Sequence, residues 1–460
     1  MRKIETAGKW AEAEFGGVNL GDARRTARII KVAERLASSP GGTLPGPLPS
    51  WAEMKAAYRL LENPAVTHER LQQLHWERTR QDCAALGEYL LLEDTTQLDY
   101  TAHPETEGLG RIGDNRGRGF YVHTTLALRI EKWTAHEPSL NLLGLFWQQL
   151  WTRDDKPKKG REKKSARLER PRESQRWAAA LDQSGDSPPG TQWTLVADRE
   201  ADIAEVLIET RRHATDFIIR ACRPRAVVME SGDLFAAAAQ APVKGDFKIE
   251  LRARPGQAAR TARVQVRARE MTVRGPWRPG GALPDQVVNV IEIREMNPPK
   301  DAEALLWVLL VSWPCQTLEQ CMKAARAYGA RWLLEEYHKA LKSGTGVEKS
   351  QLMTAAKLKA LLGVLALVAV RLLDMKLQAR VNPDKAVSPD TLGADAFAIL
   401  AAKYGRPKAG WTNRATLVAI AKLGGFPGRK GDGDPGWQTI WRGWQRLVQL
   451  TEGYTLRTEL

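Results

Sequence analysis

The spacing of hydrophobic and polar positions changes several times along this chain, and each change marks a new element. Over residues 1–70 the pattern is that of short helices. Trp10 to Phe15 form a turn-rich amphipathic piece, and Asp22 is placed to cap a helix carrying Arg24, Arg25 and Arg28. A Pro/Gly-rich break, SSPGGTLPGPLPS from Ser38 to Ser50, precedes a second helix over Trp51 to Leu61. From Glu88 the pattern turns to strands. EYLLLED is a short apolar run that closes on Asp94, FYVHTTLALRI follows a glycine-rich turn from Gly113 to Gly119, and Leu142 to Trp147 suits a third strand. A basic loop from Lys156 to Arg176 leads to a helix near Trp177, and TQWTLVAD then gives a buried strand closing on Asp198. Two buried strands that each close on an aspartate converge, where parallel, on one sheet edge, the usual place for a ligand.

FKIELRAR and TARVQVRARE next alternate with period two, arginines on one side and aliphatics on the other. Such a pattern predicts an antiparallel sheet with one wet, basic face. ALLWVLLVS is a further strand, and Thr317 with Gln320 predicts a capping box opening a helix that runs through Lys342 and stops at Gly344. The tail reads as an apolar helix around Gly363 to Leu373, a linker near Pro383 to Pro389, and a terminal helix from Trp437. There Trp437, Trp441 and Trp444 fall at i, i+4 and i+7, an aromatic stripe suited either to core packing or to a subunit interface. No internal repeat is visible.

Composition sharpens this picture. With 460 residues, 43% of them hydrophobic, and sixteen tryptophans, the chain has ample material for a folded core in two or three domains. Its net charge is +15, and ten Lys/Arg against three Asp/Glu fall both between Lys156 and Arg176 and between Lys244 and Arg278. Patches of this kind attract polyanions, nucleic acid first among them, although solubilising surface has the same composition. Cys83, Cys222, Cys315 and Cys321 lack paired spacing and neighbouring histidines, so they read as reduced, partly buried thiols and argue against zinc. The N-terminal MRKIETAGKW has no apolar core of a signal peptide, and the run Ala360 to Val370 is too short to span a bilayer. A cytoplasmic protein is expected.

Candidate chemistry concentrates in YGARWLLEEYHKALK, Tyr328 to Lys342. On one regular helix, at about 100° per residue, Tyr328, Arg331, Glu335 and Lys342 share a face roughly 60° wide. A hydroxyl, a guanidinium, a carboxylate and an ammonium in a row suit a phosphodiester beside a metal ion; a solvated face laced by ion pairs uses the same residues. Asp94, Asp198 and Glu335 then make a trio of acids on elements whose ends can meet. Phosphodiester chemistry with two metals needs such carboxylates, and Mg²⁺ needs few protein ligands because it retains waters.

Together these motifs resemble the bacterial DDE transposases of the Tn5 type and their insertion-sequence-four relatives. The resemblance runs from LGDARRTAR (Leu20 to Arg28) through LLEDTT (Leu91 to Thr96) and VADREAD (Val196 to Asp202) to the Tyr-x2-Arg-x3-Glu-x6-Lys signature. It ends in LGGF (Leu423 to Phe426) and WxxxWxGW (Trp437 to Trp444). What it implies is an RNase H-like mixed-sheet α/β core with a β-rich insertion, flanked by a helical end-binding domain and a helical dimerisation domain. Expected bounds are 1–70, 71–372 with the insertion at about 236–303, and 373–460. Asp94, Asp198 and Glu335 would hold two Mg²⁺ ions, with Mn²⁺ an alternative, and Tyr328, Arg331 and Lys342 would hold phosphates. The family nicks the element's end, forms and reopens a hairpin, and joins the freed 3′-hydroxyl to target DNA. Trp307 would stack on the base that the hairpin expels, its alternative being ordinary burial in an apolar strand.

By the same resemblance Arg24, Arg25 and Arg28 would read the element's inverted ends, and Arg199, Arg220, Lys300, Trp332 and Lys339 would touch double-stranded DNA. The resemblance is loosest over the Lys156 to Arg176 loop. A homodimer in the DNA-bound synaptic complex, with no membrane partner and association with the bacterial nucleoid, completes the expectation. The competing readings are an RNase H-like nuclease that cuts without joining and a domesticated, sequence-specific DNA-binding protein.

Overall fold

A computed structural model describes residues 6–41, 43–44, 46–48, 50–134, 137–153, 173–228, 232–251, 259–300, 302–429 and 431–459. Most of the Lys156 to Arg176 loop lies outside the described residues, as do Arg252 and Arg254 of the period-two segment. The strands are β1 (Gly87–Asp99), β2 (Gly110–Ile112), β3 (Gly117–Trp133), β4 (Pro138–Trp151), β5 (Thr191–Ala197) and β6 (Asp216–Arg220). They continue with β7 (Val243–Leu251), β8 (Arg260–Val273), β9 (Trp277–Arg278), β10 (Gly281–Ala282), β11 (Gln286–Glu295) and β12 (Leu306–Val311).

All but the small β9/β10 pair join one mixed sheet in the order β2-β3-β1-β5-β6-β12-β11-β8-β7, with β4 beside β3. β1, β5 and β6 are parallel; β3 runs antiparallel to β1 and β12 antiparallel to β6. The central strands are almost continuously apolar because both of their faces are covered. Leu90, Leu92, Val196, Ile218, Leu309 and Val311 point into the main core, which holds the 27-residue Ala355–Val381 helix. Leu195, Ala197, Phe217, Ile219 and Leu310 point the other way, against the Gln175–Ser184 and Ala204–Arg212 helices. That long helix is apolar on nearly every side, which is what burial all round requires. No described helix is long and apolar enough to cross a membrane.

Two readings of the sequence change here. β1 does not stop at Asp94 but continues to Asp99, because β3 goes on pairing with it on its other edge. Only the parallel ladder to β5 ends there, at Glu93 opposite Ala197. The period-two segment is likewise no separate sheet: β11, β8 and β7 extend the main one beyond β12. Its alternation is as read, with Ala262, Val264, Val266 and Ala268 buried and Arg263 exposed between them. Much of the arginine row is answered within the chain. Arg263 Nε lies 2.7 Å from Asp246, Arg260 pairs with Glu295, and Arg267 donates to the Ala241 carbonyl at 3.0 Å.

At the N-terminus the helices are Ala7–Phe15, Ala23–Ser38, Trp51–Glu62 and His68–Asp82. Asp22 caps the second as its sequence predicts, Oδ1 accepting the Arg24 N–H at 2.8 Å. The buried Glu14 carboxylate accepts from His75 Nδ1 (2.9 Å) and Arg78 Nη2 (2.6 Å). His75 Nε2 accepts the Leu145 N–H at 3.0 Å, tying the first helix through this node to β4. At the other end, Ala394–Tyr404, Asn413–Leu423 and Trp437–Glu459 pack together. Of the two readings of the tryptophan stripe, packing within the chain is the one seen. Trp437 stacks on Trp441 at 4.7 Å and donates to Glu336 at 2.6 Å, while Trp444 donates to the Ser38 carbonyl at 3.3 Å.

Candidate active site

The end of the β1/β5 ladder positions two acids. One step beyond Glu93 and Ala197 the neighbours are Asp94 and Asp198, on strands about 4.8 Å apart. Side chains alternate along a strand, so both share the face of Leu92 and Val196, toward the main core and the helices of the Tyr328 to Lys342 segment. Asp94 is largely buried, at 16% side-chain exposure. Its Oδ1 accepts the Thr95 N–H at 2.7 Å and its Oδ2 accepts Arg331 Nη1 at 3.2 Å. Asp198 caps the short Arg199–Ala201 turn, Oδ1 accepting the Glu200 N–H at 2.8 Å.

That segment is not the single helix its sequence suggests. Leu318–Gly329, opened by the expected Thr317/Gln320 capping box, ends before the second helix Trp332–Lys339, and a π-turn follows over Ala340–Gly344. The junction is tightened by three-residue hydrogen bonds, Arg331 N to Tyr328 O (3.0 Å), Leu333 N to Ala330 O (2.9 Å) and Leu334 N to Arg331 O (3.0 Å). Gly329, a poor helix former, sits where the winding changes. A regular 100° step therefore no longer relates the four signature residues.

Three of the four still gather at one point, and Arg331 is its hub. Its guanidinium hydrogen-bonds Asp94 through Nη1 and the half-exposed Glu335 carboxylate through Nη2. Burial works against the Arg331 charge, but Tyr328, Glu335, Asp94 and Asp198 outweigh it and raise the guanidinium pKa. Burial first, and the Asp198 charge second, push the Asp94 carboxyl up to about 7, with Arg331 pulling the other way. Burial also raises the Tyr328 phenol. Trp307 reaches this cluster from β12, its ring meeting Tyr328 edge-on at 5.0 Å. Lys342 stands apart on the π-turn, 3.9 Å from Glu348, whose carboxylate accepts the Asp99 N–H at the far end of β1.

The DNA-contact candidates are more scattered. Arg199 is exposed beside Asp198, and Arg220 donates to the Leu306 carbonyl at 2.9 Å while acting electrostatically on Tyr328. Trp332 lies under the Arg380 guanidinium at 5.6 Å, Lys339 pairs with Glu336 at 3.0 Å, and Lys300 is exposed far along the chain from both. In the N-terminal part, Arg24 is folded onto Asp22 (Nη2 to Oδ2, 2.8 Å), Arg25 donates to the Leu20 carbonyl at 2.9 Å, and Arg28 is half-buried.

Sequence reasoning missed several neighbours. Glu200 follows Asp198 by two residues, and burial and then the Asp198 charge raise its pKa. Behind Asp94, Glu93 accepts from Thr125 Oγ1 (3.0 Å) and lies 3.6 Å from His123, which bonds Thr95 at 2.9 Å. Both acids adjoin the aspartate motifs, which was the available signal. Asp94, Asp198 and Glu335 do not form a tight three-ligand group. Among the described residues the group whose donor atoms all lie within 4.8 Å of one another is Asp182, Glu209 and His213, elsewhere on the sheet. Of the cysteines, Cys83, Cys315 and Cys321 are buried, but Cys222 is exposed at the turn after β6 rather than partly buried.

Comparison with known proteins marks both ends of the chain. Residues 7–66 match the family described as transposase DNA-binding, and residues 368–458 match the transposase Tn5 dimerisation domain. Among solved structures, a piggyBac transposase synaptic complex with hairpin DNA is similar at 9% identity and a TM-score of 0.30. That alignment covers 70% of this chain and 59% of the other, and so slight a likeness supports no argument of its own.

Proposed function

We propose that this chain, whose two matched ends support a transposase of the Tn5 type, is a cut-and-paste DNA transposase with a DDE active site. The observation that carries the proposal is the register of the sheet. Asp94 and Asp198 are next neighbours at the end of the β1/β5 parallel ladder, on the face toward Arg331 and Glu335. The strand order β4-β3-β1-β5-β6, antiparallel on one side of β1 and parallel on the other, supports an RNase H-like core.

The residues fit a divalent metal. Burial first, and the neighbouring Asp198 carboxylate second, push Asp94 up to about 7, and only Arg331 and the Thr95 N–H pull against them. A cation at this point would replace that guanidinium as the counter-charge, held by Asp94, Asp198 and Glu335, with Mg²⁺ favoured by the all-oxygen donor set and Mn²⁺ an alternative. When bound, such ions make an attacking oxygen more nucleophilic and offset charge on the leaving oxygen. Without the ions Arg331 holds Asp94 and Glu335 in one orientation, and once replaced by them it is close enough to turn its donors toward phosphate. Tyr328, kept protonated by burial, offers a hydroxyl to a phosphate oxygen, and Trp307 supplies an aromatic face against it.

In the proposed reaction water attacks the phosphorus at the element's end and the strand's 3′-oxygen leaves. The freed 3′-hydroxyl attacks the opposite strand to close a hairpin, water reopens it, and the same hydroxyl attacks target DNA. Each step forms one P–O bond and breaks another, so one site serves them all. The N-terminal region would recognise the inverted ends and the C-terminal region would pair two copies in the DNA-bound synaptic complex, within a bacterial cytoplasm. The experiment is a plasmid with a marker between the element's own inverted ends, incubated with purified protein and Mg²⁺ beside the Asp198→Ala variant. Excised linear marker with hairpin ends, absent with the variant, is the expected result. End binding without cutting by the unaltered protein would favour the DNA-binding reading, and cutting without joining the nuclease.

A further inference from the structure

The group Asp182, Glu209 and His213 lies on the opposite face of the sheet from Arg331 and is not part of the proposed chemistry. Asp182 belongs to the Gln175–Ser184 helix; Glu209 and His213 lie one turn apart at the end of the Ala204–Arg212 helix. His213 is buried, its side chain 7% exposed. Its Nδ1 is 2.7 Å from Asp186 Oδ1, and an ionised carboxylate only accepts, so Nδ1 carries the proton. In the neutral ring the lone pair of Nε2 then faces Asp182 Oδ1 and Glu209 Oε2, each 3.7 Å away. Neither Nε2 nor Glu209 Oε2, both buried, makes a hydrogen bond, although the Arg212 guanidinium lies 3.1 Å from Oε2. A lone pair and two carboxylate oxygens turned on one point repel one another unless a proton or a cation is held there, and they are donors of the kind a metal ion takes.

We propose that this is a structural binding site for a divalent transition ion, with zinc as the best fit. Zinc takes imidazole nitrogen and carboxylate oxygen at about 2.0–2.2 Å, so tetrahedral donors stand about 3.4 Å apart. The 3.7 Å separations close to that with a small side-chain shift. A carboxylate on the far nitrogen of a ligating histidine is the usual partner that fixes its tautomer and raises its basicity, and Asp186 supplies it. Imidazole favours zinc over Mg²⁺, which separates this site chemically from the all-oxygen one. The cation now nearest is the Arg212 guanidinium, 2.7 Å from Asp182 and 3.1 Å from Glu209. Its side chain is 59% exposed and can swing into water, whereas His213 cannot. An ion there clamps together the two helices that enter and leave β5, the strand whose end carries Asp198. The inference does not depend on the transposase reading.

The test uses the full chain carrying Asp198→Ala and Glu335→Ala, so that the proposed catalytic acids contribute no binding. Zn²⁺ is titrated against a chromophoric chelator, and Co²⁺ is added separately to read its visible absorption. One Zn²⁺ per chain is expected. His213→Gln should weaken it at least tenfold and remove the Co²⁺ bands, and Asp186→Asn, which spares all three ligands, should weaken it about tenfold. Arg212→Ala should act in the opposite direction and tighten binding several-fold, because it deletes the competing cation. No Zn²⁺ binding, binding indifferent to His213→Gln, or weaker binding in Arg212→Ala would each overturn the site. Circular dichroism of His213→Gln checks its fold, and should it unfold, the Asp186→Asn and Arg212→Ala pair decides.

Discussion

Replacing Asp94 with asparagine removes a charge that burial and Asp198 both penalise, so the metal-free protein should gain stability from a substitution that ends its cleavage. The magnitude follows from the carboxyl's rise from 3.8 to about 7. At ~1.4 kcal/mol per tenfold, that rise corresponds to about 4 kcal/mol as a ceiling. The sign follows from linkage. Between pH ~4 and ~7 the folded protein holds a proton that the unfolded chain has already lost, so stability falls as pH rises through this window. Above pH 7 the whole cost remains. Asparagine has no proton to lose, and its carbonyl oxygen can still accept from Arg331. In EDTA, urea unfolding followed by tryptophan fluorescence should therefore give nearly equal midpoints for the two proteins near pH 4. At pH 8 the variant should be more stable by roughly 2–4 kcal/mol. Adding Mg²⁺ at pH 8 should raise only the unaltered protein's midpoint, since a cation offsets only a charge that is present. Equal stabilities at pH 8 in EDTA, with parallel pH dependence, would refute the picture of two carboxylates crowded in a desolvated corner.

Three further outcomes are expected. Glu336→Ala leaves the largely buried Lys376 ammonium, now 2.6 Å from Glu336, and the Trp437 N–H without their acceptor. It should cost about 3–5 kcal/mol, read as a lower Tm, with Glu336→Gln costing less; an unchanged Tm would mean that the contact contributes nothing. Trp307→Ala should leave first-strand nicking within a few-fold and suppress the hairpin product; hairpins at the unaltered level would remove the stacking role. Gly344→Ala puts a Cβ 2.3 Å from the Trp441 ring, which must move, and it should lower stability by about 1–3 kcal/mol in thermal unfolding.

Local signals in this sequence were legible where one residue and its near neighbours decide the outcome. Asp22, Thr317 and Gln320 announced their helix starts because a cap needs only a side-chain oxygen within three residues of a free N–H. The apolar runs ending at Asp94 and Asp198 announced buried parallel strands because their two covered faces leave no room for polar residues. What depends on a distant partner was hidden. β1 continues past Asp94 because β3 pairs with it there, and nothing in β1 itself records that. The proposed metal-ligand group escaped notice because Asp182 and His213 are thirty-one residues apart, although Glu209 and His213, four apart, were a readable half.

The broken signature helix alters the proposed chemistry and not merely the description. On a straight helix Lys342 would share Arg331's face, although eleven residues and about 16 Å further along the axis. Instead, Lys342 pairs with Glu348 beside Asp99, five residues and about 16 Å of extended strand beyond Asp94. Arg331 lies at the near end of that strand, within 3.2 Å of Asp94. A strand of DNA rises about 3.4 Å per nucleotide, so two cations this far apart along β1 meet phosphates several nucleotides from one another. On the proposed function Arg331 would then serve the scissile phosphate and Lys342 the flank of the DNA. The two should separate kinetically: Arg331→Ala should depress the cleavage rate at saturating DNA, and Lys342→Ala should weaken DNA binding and its salt dependence with the saturated rate nearly kept. If Lys342→Ala instead lowers the saturated rate as far as Arg331→Ala does, Lys342 serves the scissile phosphate and this separation of roles is wrong.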